Sequence, residues 1–228
     1  MYHNEAKEYR MKELIYDFYG HNTSLFNNIN DTFSSSTSQH LLKYISTLFD
    51  IEMFAIYYCI ILAILSYRIL TIKLYEQYSF CYDFMVKIGI CYACFGFTYA
   101  ALKFGINMPR PFCSLPEGSF TTIIDISQER CQSSFPSSHT GLVFLITLFL
   151  WDYVGWFARI FWVGMVILVG LSRIGLAMHY PADIFYSLFI AAGVYIIGVE
   201  MYHILEGNLI AWVKERIWKM VARSVHSH

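Results

Sequence analysis

The chain has 228 residues, 57% of them hydrophobic and 14% charged, with a formal net charge of -1. So few charges cannot cover a water-soluble domain of this size, and the lack of a basic excess argues against a nucleic-acid partner; the composition is that of a membrane protein. The net charge says little else, because in such a protein the placement of charge matters more than its sum.

Residues 1–13 hold Glu5, Lys7, Glu8, Arg10, Lys12 and Glu13 with no apolar core behind them, so no secretory signal is expected. Residues 1–47 read as a surface-lying, interfacial lead-in, in which charges, asparagines and the Ser34–Ser38 run alternate with short apolar pieces such as Leu25, Phe26 and Ile29. Five apolar stretches follow, at about 48–70, 80–102, 140–158, 159–178 and 183–205, each near the ~20 residues that cross a bilayer as helix. Asp83 and Lys87, near the start of the second, are expected where long side chains reach the interface. Trp151, Trp156 and Trp162 cluster between the third and fourth, as aromatic belts do at a membrane surface. From 207 to 228, Leu209, Ile210, Trp212, Val213, Ile217, Trp218 and Val221 interleave with Lys214, Arg216, Lys219 and Arg223, the pattern of a basic amphipathic interfacial helix. The expected fold is therefore all-α: a polytopic membrane helix bundle with about five transmembrane helices. Interfacial helices flank it at both ends, in one domain (1–228) with its spanning core at 48–205.

Cys59, Cys81, Cys91 and Cys94 lie in or beside apolar segments, where thiols pack as small hydrophobic groups. Cys113 and Cys131 share a polar loop and would form a disulfide if that loop faces an oxidising compartment.

Three polar stretches interrupt the apolar pattern. Lys103 and Arg110 follow the second expected helix, and Pro109 and Pro111 stiffen the chain around Arg110; two cations fixed this way suit a dianion. Phe135-Pro136-Ser137-Ser138-His139 stands directly before the third, with Ser137 at the N-cap position and free backbone N–H groups beyond it that attract phosphate. Ser172-Arg173 closes the fourth, and His179-Tyr180-Pro181-Ala182-Asp183 opens the fifth. A carboxylate at Asp183 would fix the His179 tautomer and leave the other ring nitrogen free to attack, while His139 could donate a proton to a leaving oxygen.

Lys-x6-Arg-Pro, Pro-Ser-x-His and Ser-Arg-x5-His-x3-Asp, in this order over 103–183, resemble the type 2 phosphatidic acid phosphatase superfamily. That resemblance implies removal of phosphate through a phosphohistidine intermediate, with no metal or other cofactor. Lys103, Arg110 and Arg173 would bind phosphoryl oxygens, helped by Ser137 and Ser138; His179 would be the nucleophile, Asp183 its orienting partner and His139 the acid and then the base. The family's second motif usually has glycine where this chain has Ser138. A left-handed backbone there would strain serine by roughly 1–2 kcal/mol, whereas a helix's first turn would not.

The substrate implied is a phosphorylated membrane lipid, with lipid A or a precursor favoured over phosphatidylglycerol phosphate, phosphatidic acid and undecaprenyl pyrophosphate. Transfer of the phosphate to another acceptor, and plain binding or transport of an anionic lipid, are the competing readings. With five crossings the motif loops share one side. Arg68, Lys73, Arg159, Lys214, Arg216, Lys219 and Arg223 lie on the other and, once the residues of the motif loops are set aside, outnumber Lys7, Arg10, Lys12 and Lys43 on the motif side. The positive-inside rule then puts the carboxy terminus in the cytoplasm and the motifs on the outer, periplasmic face of the inner membrane.

Overall fold

The computed structural model describes residues 16–71 and 74–225. The charges of 1–13, Lys73, the tail end at 226–228 and the Arg223 side chain, all used above, lie outside the described residues. The regular elements are helices: α1 (His21–Thr32), α2 (Ser36–Leu48), α3 (Ile51–Thr71), α4 (Tyr75–Ile106), the short α5 (Pro111–Ser114), α6 (Ser138–Leu150), α7 (Trp156–Gly175), α8 (Pro181–Leu205) and α9 (Ala211–Val225).

Among the described residues, α4, α7 and α8 are long and apolar enough to cross a membrane, and a fourth span results if Ser36–Leu48 and Glu52–Arg68 form one broken span. The expected five are not reached. The stretch expected at 140–158 ends as helix at Leu150, giving 13 residues, or about 20 Å of rise against a hydrocarbon core of ~30 Å. Gly155 then caps α7, which begins at Trp156. Sequence hydropathy overran this break because Trp151, Tyr153 and Val154 are apolar while sitting in a turn. The outward faces of the long helices carry Phe97, Phe157, Phe189 and Ile204, all exposed, as suits side chains that meet lipid.

The chain forms two compact units, residues 1–50 with 99–191, and 51–98 with 192–228. In the first, Phe26, Leu42, Phe112, Ile174, Leu176, Met178 and Tyr180 make one buried cluster, and Ile45, Val143, Val166 and Val169 make another. The lead-in therefore does not merely lie on a surface. Its amides enter the interior: Asn30 Nδ2 and Gln39 Nε2 both donate to the Gly175 carbonyl, at 2.9 and 2.7 Å, satisfying a helix-end acceptor that burial would otherwise leave unpaired.

In the second unit, α9 forms as expected, and part of its apolar face turns toward protein while Trp212 and Met220 stay exposed. Val221 and Ile210 are buried with Tyr78, Tyr82 and Tyr202. Lys214 Nζ pairs with Asp83 at 2.9 Å, so Asp83 is held by a partner, and Lys87 stands 4.9 Å from the Tyr202 ring centre.

Candidate active site

The three motifs meet in the first unit. Lys103 lies in the last turn of α4, which Asn107 ends in the left-handed region at φ 52. Arg110, in extended conformation, precedes Pro111 at the start of α5. A backbone pairing fixes this stretch: the Arg110 N–H donates to the Cys131 carbonyl at 2.8 Å, and the Ser134 N–H to that of Met108 at 3.0 Å. Cys113 and Cys131 are joined by a disulfide across the same pair. Lys103 Nζ donates to the Ser133 carbonyl at 3.0 Å.

Ser137 occupies the N-cap position of α6, but its hydroxyl makes no capping bond and instead meets Thr140 Oγ1 at 3.1 Å. The first N–H groups of the helix are thus left to another acceptor. Ser138 lies in the first turn and is not among the residues with positive φ, so serine sits there without strain. His139 follows, its Nε2 3.8 Å from Asp50 Oδ1.

Arg173 sits in the last turn of α7 and is buried, with Nη1 donating to Ser46 Oγ. The chain then reverses sharply: Ala177 takes φ 57, and the N–H groups of Met178 and His179 both donate to the Arg173 carbonyl. A non-glycine residue in this region costs roughly 1–2 kcal/mol. The turn swings His179 back beneath the end of its own helix, where it is 1% exposed.

Pro181 opens α8, and Asn22 of α1 accepts from the Ala182 N–H at 2.9 Å, capping α8 from a distant part of the chain. Asp183, fully buried, stands with Oδ2 3.4 Å from His179 Nδ1. That approach lies outside hydrogen-bond geometry, for His179 Nδ1 has no hydrogen-bond partner. The carboxylate is itself tightly held. Tyr16 Oη donates to Oδ1 at 2.7 Å, while Ser134 Oγ and the Tyr180 N–H donate to Oδ2.

Burial and then the charges of Arg173, Lys103 and Arg110 push the His179 imidazole well below its ordinary value of 6.5. The ring is consequently neutral at neutral pH. Burial and then the neighbouring Asp183 charge push the Tyr16 hydroxyl up, so it stays a donor. Two guanidinium nitrogens, Arg110 Nε and Arg173 Nε, are buried with no hydrogen-bond partner. Unsatisfied buried donors are costly, and two of them on cations that act on a neutral imidazole are chemistry suited to an anion with several oxygens.

Every residue singled out in the motifs is in this unit. The sequence reading passed over Tyr16, Asn22, Ser46, Asp50, Glu129 and Ser134. Asp50, a charge interrupting Leu48-Phe49-Asp50-Ile51, carries a signal that can be read; the others stand where no motif or period marks them.

The family model of the PAP2 superfamily matches residues 84–206. Bacitracin transport permease protein BcrC of Bacillus licheniformis is 32% identical over 78 residues, which are 33% of this chain and 34% of that one, so the match spans about a third of that relative's length. The crystal structure of Aquifex aeolicus LpxE is similar in fold, with a TM-score of 0.60 at 20% identity over 78% of this chain and 94% of that chain.

Proposed function

Because the chain belongs to the PAP2 superfamily, we propose that it is a membrane lipid phosphatase that hydrolyses a phosphomonoester through a phosphohistidine intermediate. The observation that carries this is the buried His179–Asp183 pair, 3.4 Å apart, within electrostatic reach of Arg173, Lys103 and Arg110.

The steps we infer are these. His179 Nδ1 faces Asp183, so Nε2 is the nitrogen left to attack phosphorus. As the N–P bond forms and the P–O bond to the lipid breaks, the ring becomes cationic, and the fixed Asp183 carboxylate stabilises that charge. Burial and the neighbouring cations hold the free His139 imidazole neutral as well, so it takes up its proton as the anionic substrate binds and offsets those cations, and then gives it to the departing alkoxide, which leaves as the lipid alcohol. It then takes a proton from water as the water oxygen attacks phosphorus, and the P–N bond breaks to return neutral His179 and inorganic phosphate. Charge gathers on the equatorial oxygens in both steps, and Lys103, Arg110, Arg173 and the free N–H groups at the start of α6 are donors suited to it. In this mechanism three side-chain cations supply the electrostatic role that a metal plays elsewhere.

Lipid A or a precursor is the substrate we favour, on the resemblance of the chain to the superfamily's small lipid A phosphatases and the fold it shares with LpxE. We place the site on the outer face of the cytoplasmic membrane and the carboxy terminus inside, on the charge bias of the loops. We also treat 1–228 as one functional domain, the family match running unbroken across 84–206. The transport named for BcrC gives the second reading, an anionic-lipid carrier that needs no nucleophile.

The test is inorganic phosphate release by purified protein from lipid A, phosphatidylglycerol phosphate, phosphatidic acid and undecaprenyl pyrophosphate, with His179→Ala alongside. Release from at least one, lost in the variant, supports the proposal. Unchanged release by the variant removes His179 as nucleophile, and no release with anionic lipid still bound favours the carrier. Release that rises when an acceptor alcohol is added identifies a phosphotransferase.

A further inference from the structure

Arg110 is not waiting empty. Its Nη1 donates to Glu129 Oε2 at 2.6 Å, so a carboxylate oxygen already lies where a cation of the pocket would receive a phosphoryl oxygen. The charge of Glu129 acts on Arg173 as well. Glu129 is brought there by a segment tied down just beyond it: by the Cys113–Cys131 disulfide, the Arg110–Cys131 backbone bond and the bridge between Pro109 and Gln132. The two partners differ in burial. The Arg110 side chain is 9% exposed and that of Glu129 is 33% exposed, so the cation is fixed in the interior while the carboxylate has solvent into which it can withdraw.

We propose that Glu129 is a displaceable counter-anion, which occupies Arg110 when the pocket is empty and competes with inorganic phosphate for it after turnover. This rests on the phosphate-pocket reading above. A cluster of the buried Arg110 and Arg173 with the partly buried Lys103 would hold its own dianionic product tightly, since charge-assisted bonds in a sheltered site are strong. A tethered carboxylate that returns to Arg110 weakens every anion in the pocket by the same factor. The cost falls most usefully on the product, whose departure limits many enzymes. It also offsets, in the empty pocket, the mutual repulsion of the guanidinium groups.

An ordinary structural ion pair makes the opposite prediction. If Glu129 merely holds Arg110 in place, removing its charge loosens the pocket and weakens phosphate. If it competes, removing its charge strengthens phosphate. The experiment is isothermal titration of inorganic phosphate into detergent-purified His179→Ala protein, which cannot turn over, with and without Glu129→Gln. Thermal unfolding confirms that each is folded, and Glu129→Asp, whose carboxylate is one methylene short of Arg110, is a second variant. The expected result is phosphate binding about tenfold tighter with Glu129→Gln and an intermediate gain with Glu129→Asp. Equal or weaker binding in both variants overturns the counter-anion. Failure of all three proteins to bind phosphate overturns the pocket reading itself, and the counter-anion with it. In the active protein, Glu129→Gln should lower steady-state kcat while leaving the single-turnover rate unchanged, a split that a loosened pocket would not give.

Discussion

The hydroxyl of Tyr16 donates to the carboxylate of Asp183 at 2.7 Å, across 167 positions of sequence. A residue ahead of every membrane helix thus sets the orientation of the group behind the proposed nucleophile. Tyr16→Phe keeps the ring, which packs edge-on against Tyr180 and Phe135, and removes only the donor. Hydrogen bonds to charged groups are worth roughly 1.5–3 kcal/mol, so kcat should fall at least about tenfold with KM little changed. Steady-state phosphate release checks this, and an unchanged kcat would mean that Ser134 and the Tyr180 N–H suffice.

The depressed imidazole of His179 fixes the sign of the acid limb. A ring pushed below 6.5 by burial and by Arg173, Lys103 and Arg110 is already neutral and nucleophilic at pH 7. It stays so as the pH drops toward 6, and is lost only as the pH falls through its lowered value. The acid limb of the kcat/KM profile should therefore lie below 6.5, once ionisation of the free substrate is subtracted. A limb above that value would show that the cations do not act on the ring.

Chelation should leave the purified protein fully active, because the positive charge of the proposed mechanism comes from side chains. A loss in EDTA restored by magnesium would falsify the metal-free route. Orthovanadate, which adopts the five-coordinate geometry of the transferring phosphorus, should inhibit competitively.

The Cys113–Cys131 bond closes a loop with a sequence separation of 18. By loop-closure entropy a bridge of this span is worth about 3 kcal/mol. Cys113→Ser with Cys131→Ser should lower the thermal midpoint. Differential scanning of oxidised, reduced and double-variant protein reads the effect; identical midpoints would show the bridge contributes nothing to the fold.

Gly141, one turn into α6, is packed against the hydroxyl of Tyr99, which donates to the Ser187 carbonyl at 2.8 Å. A methyl group there must push that hydroxyl off its acceptor. Gly141→Ala should destabilise by about 1–3 kcal/mol, while Gly96→Ala, where an added Cβ meets nothing within 4 Å, should not. Thermal midpoints of the two variants decide it.

What the sequence made legible was set by period and by spacing. Lys103, Arg110, His139, Arg173, His179 and Asp183 stand out because ionisable groups at the ends of apolar helices are costly and seldom idle. The long helices α4, α7 and α8 follow from hydropathy alone. The shortness of α6 did not, because Trp151 and Tyr153 look the same in a turn as in a span. Nor did the burial of α1 and α2: Asn22, Asn30 and Gln39 read as surface residues, and only the distant backbone groups they satisfy explain why they are inside. Long-range polar pairing leaves no periodic trace, which is why Tyr16, Ser46 and Ser134 were invisible.

The reach of Tyr16 and Asn22 to residues 183 and 182 also sets a timetable for biogenesis. A ribosome adding about 5–20 residues per second takes roughly 8 to 33 s to travel from one partner to the other. During that interval the lead-in must wait, its amides and hydroxyl served by water, while helix after helix is handed to the insertion machinery. Only the emergence of α8 brings Asp183 to its clamp, so a nascent chain stalled before that point carries no assembled centre.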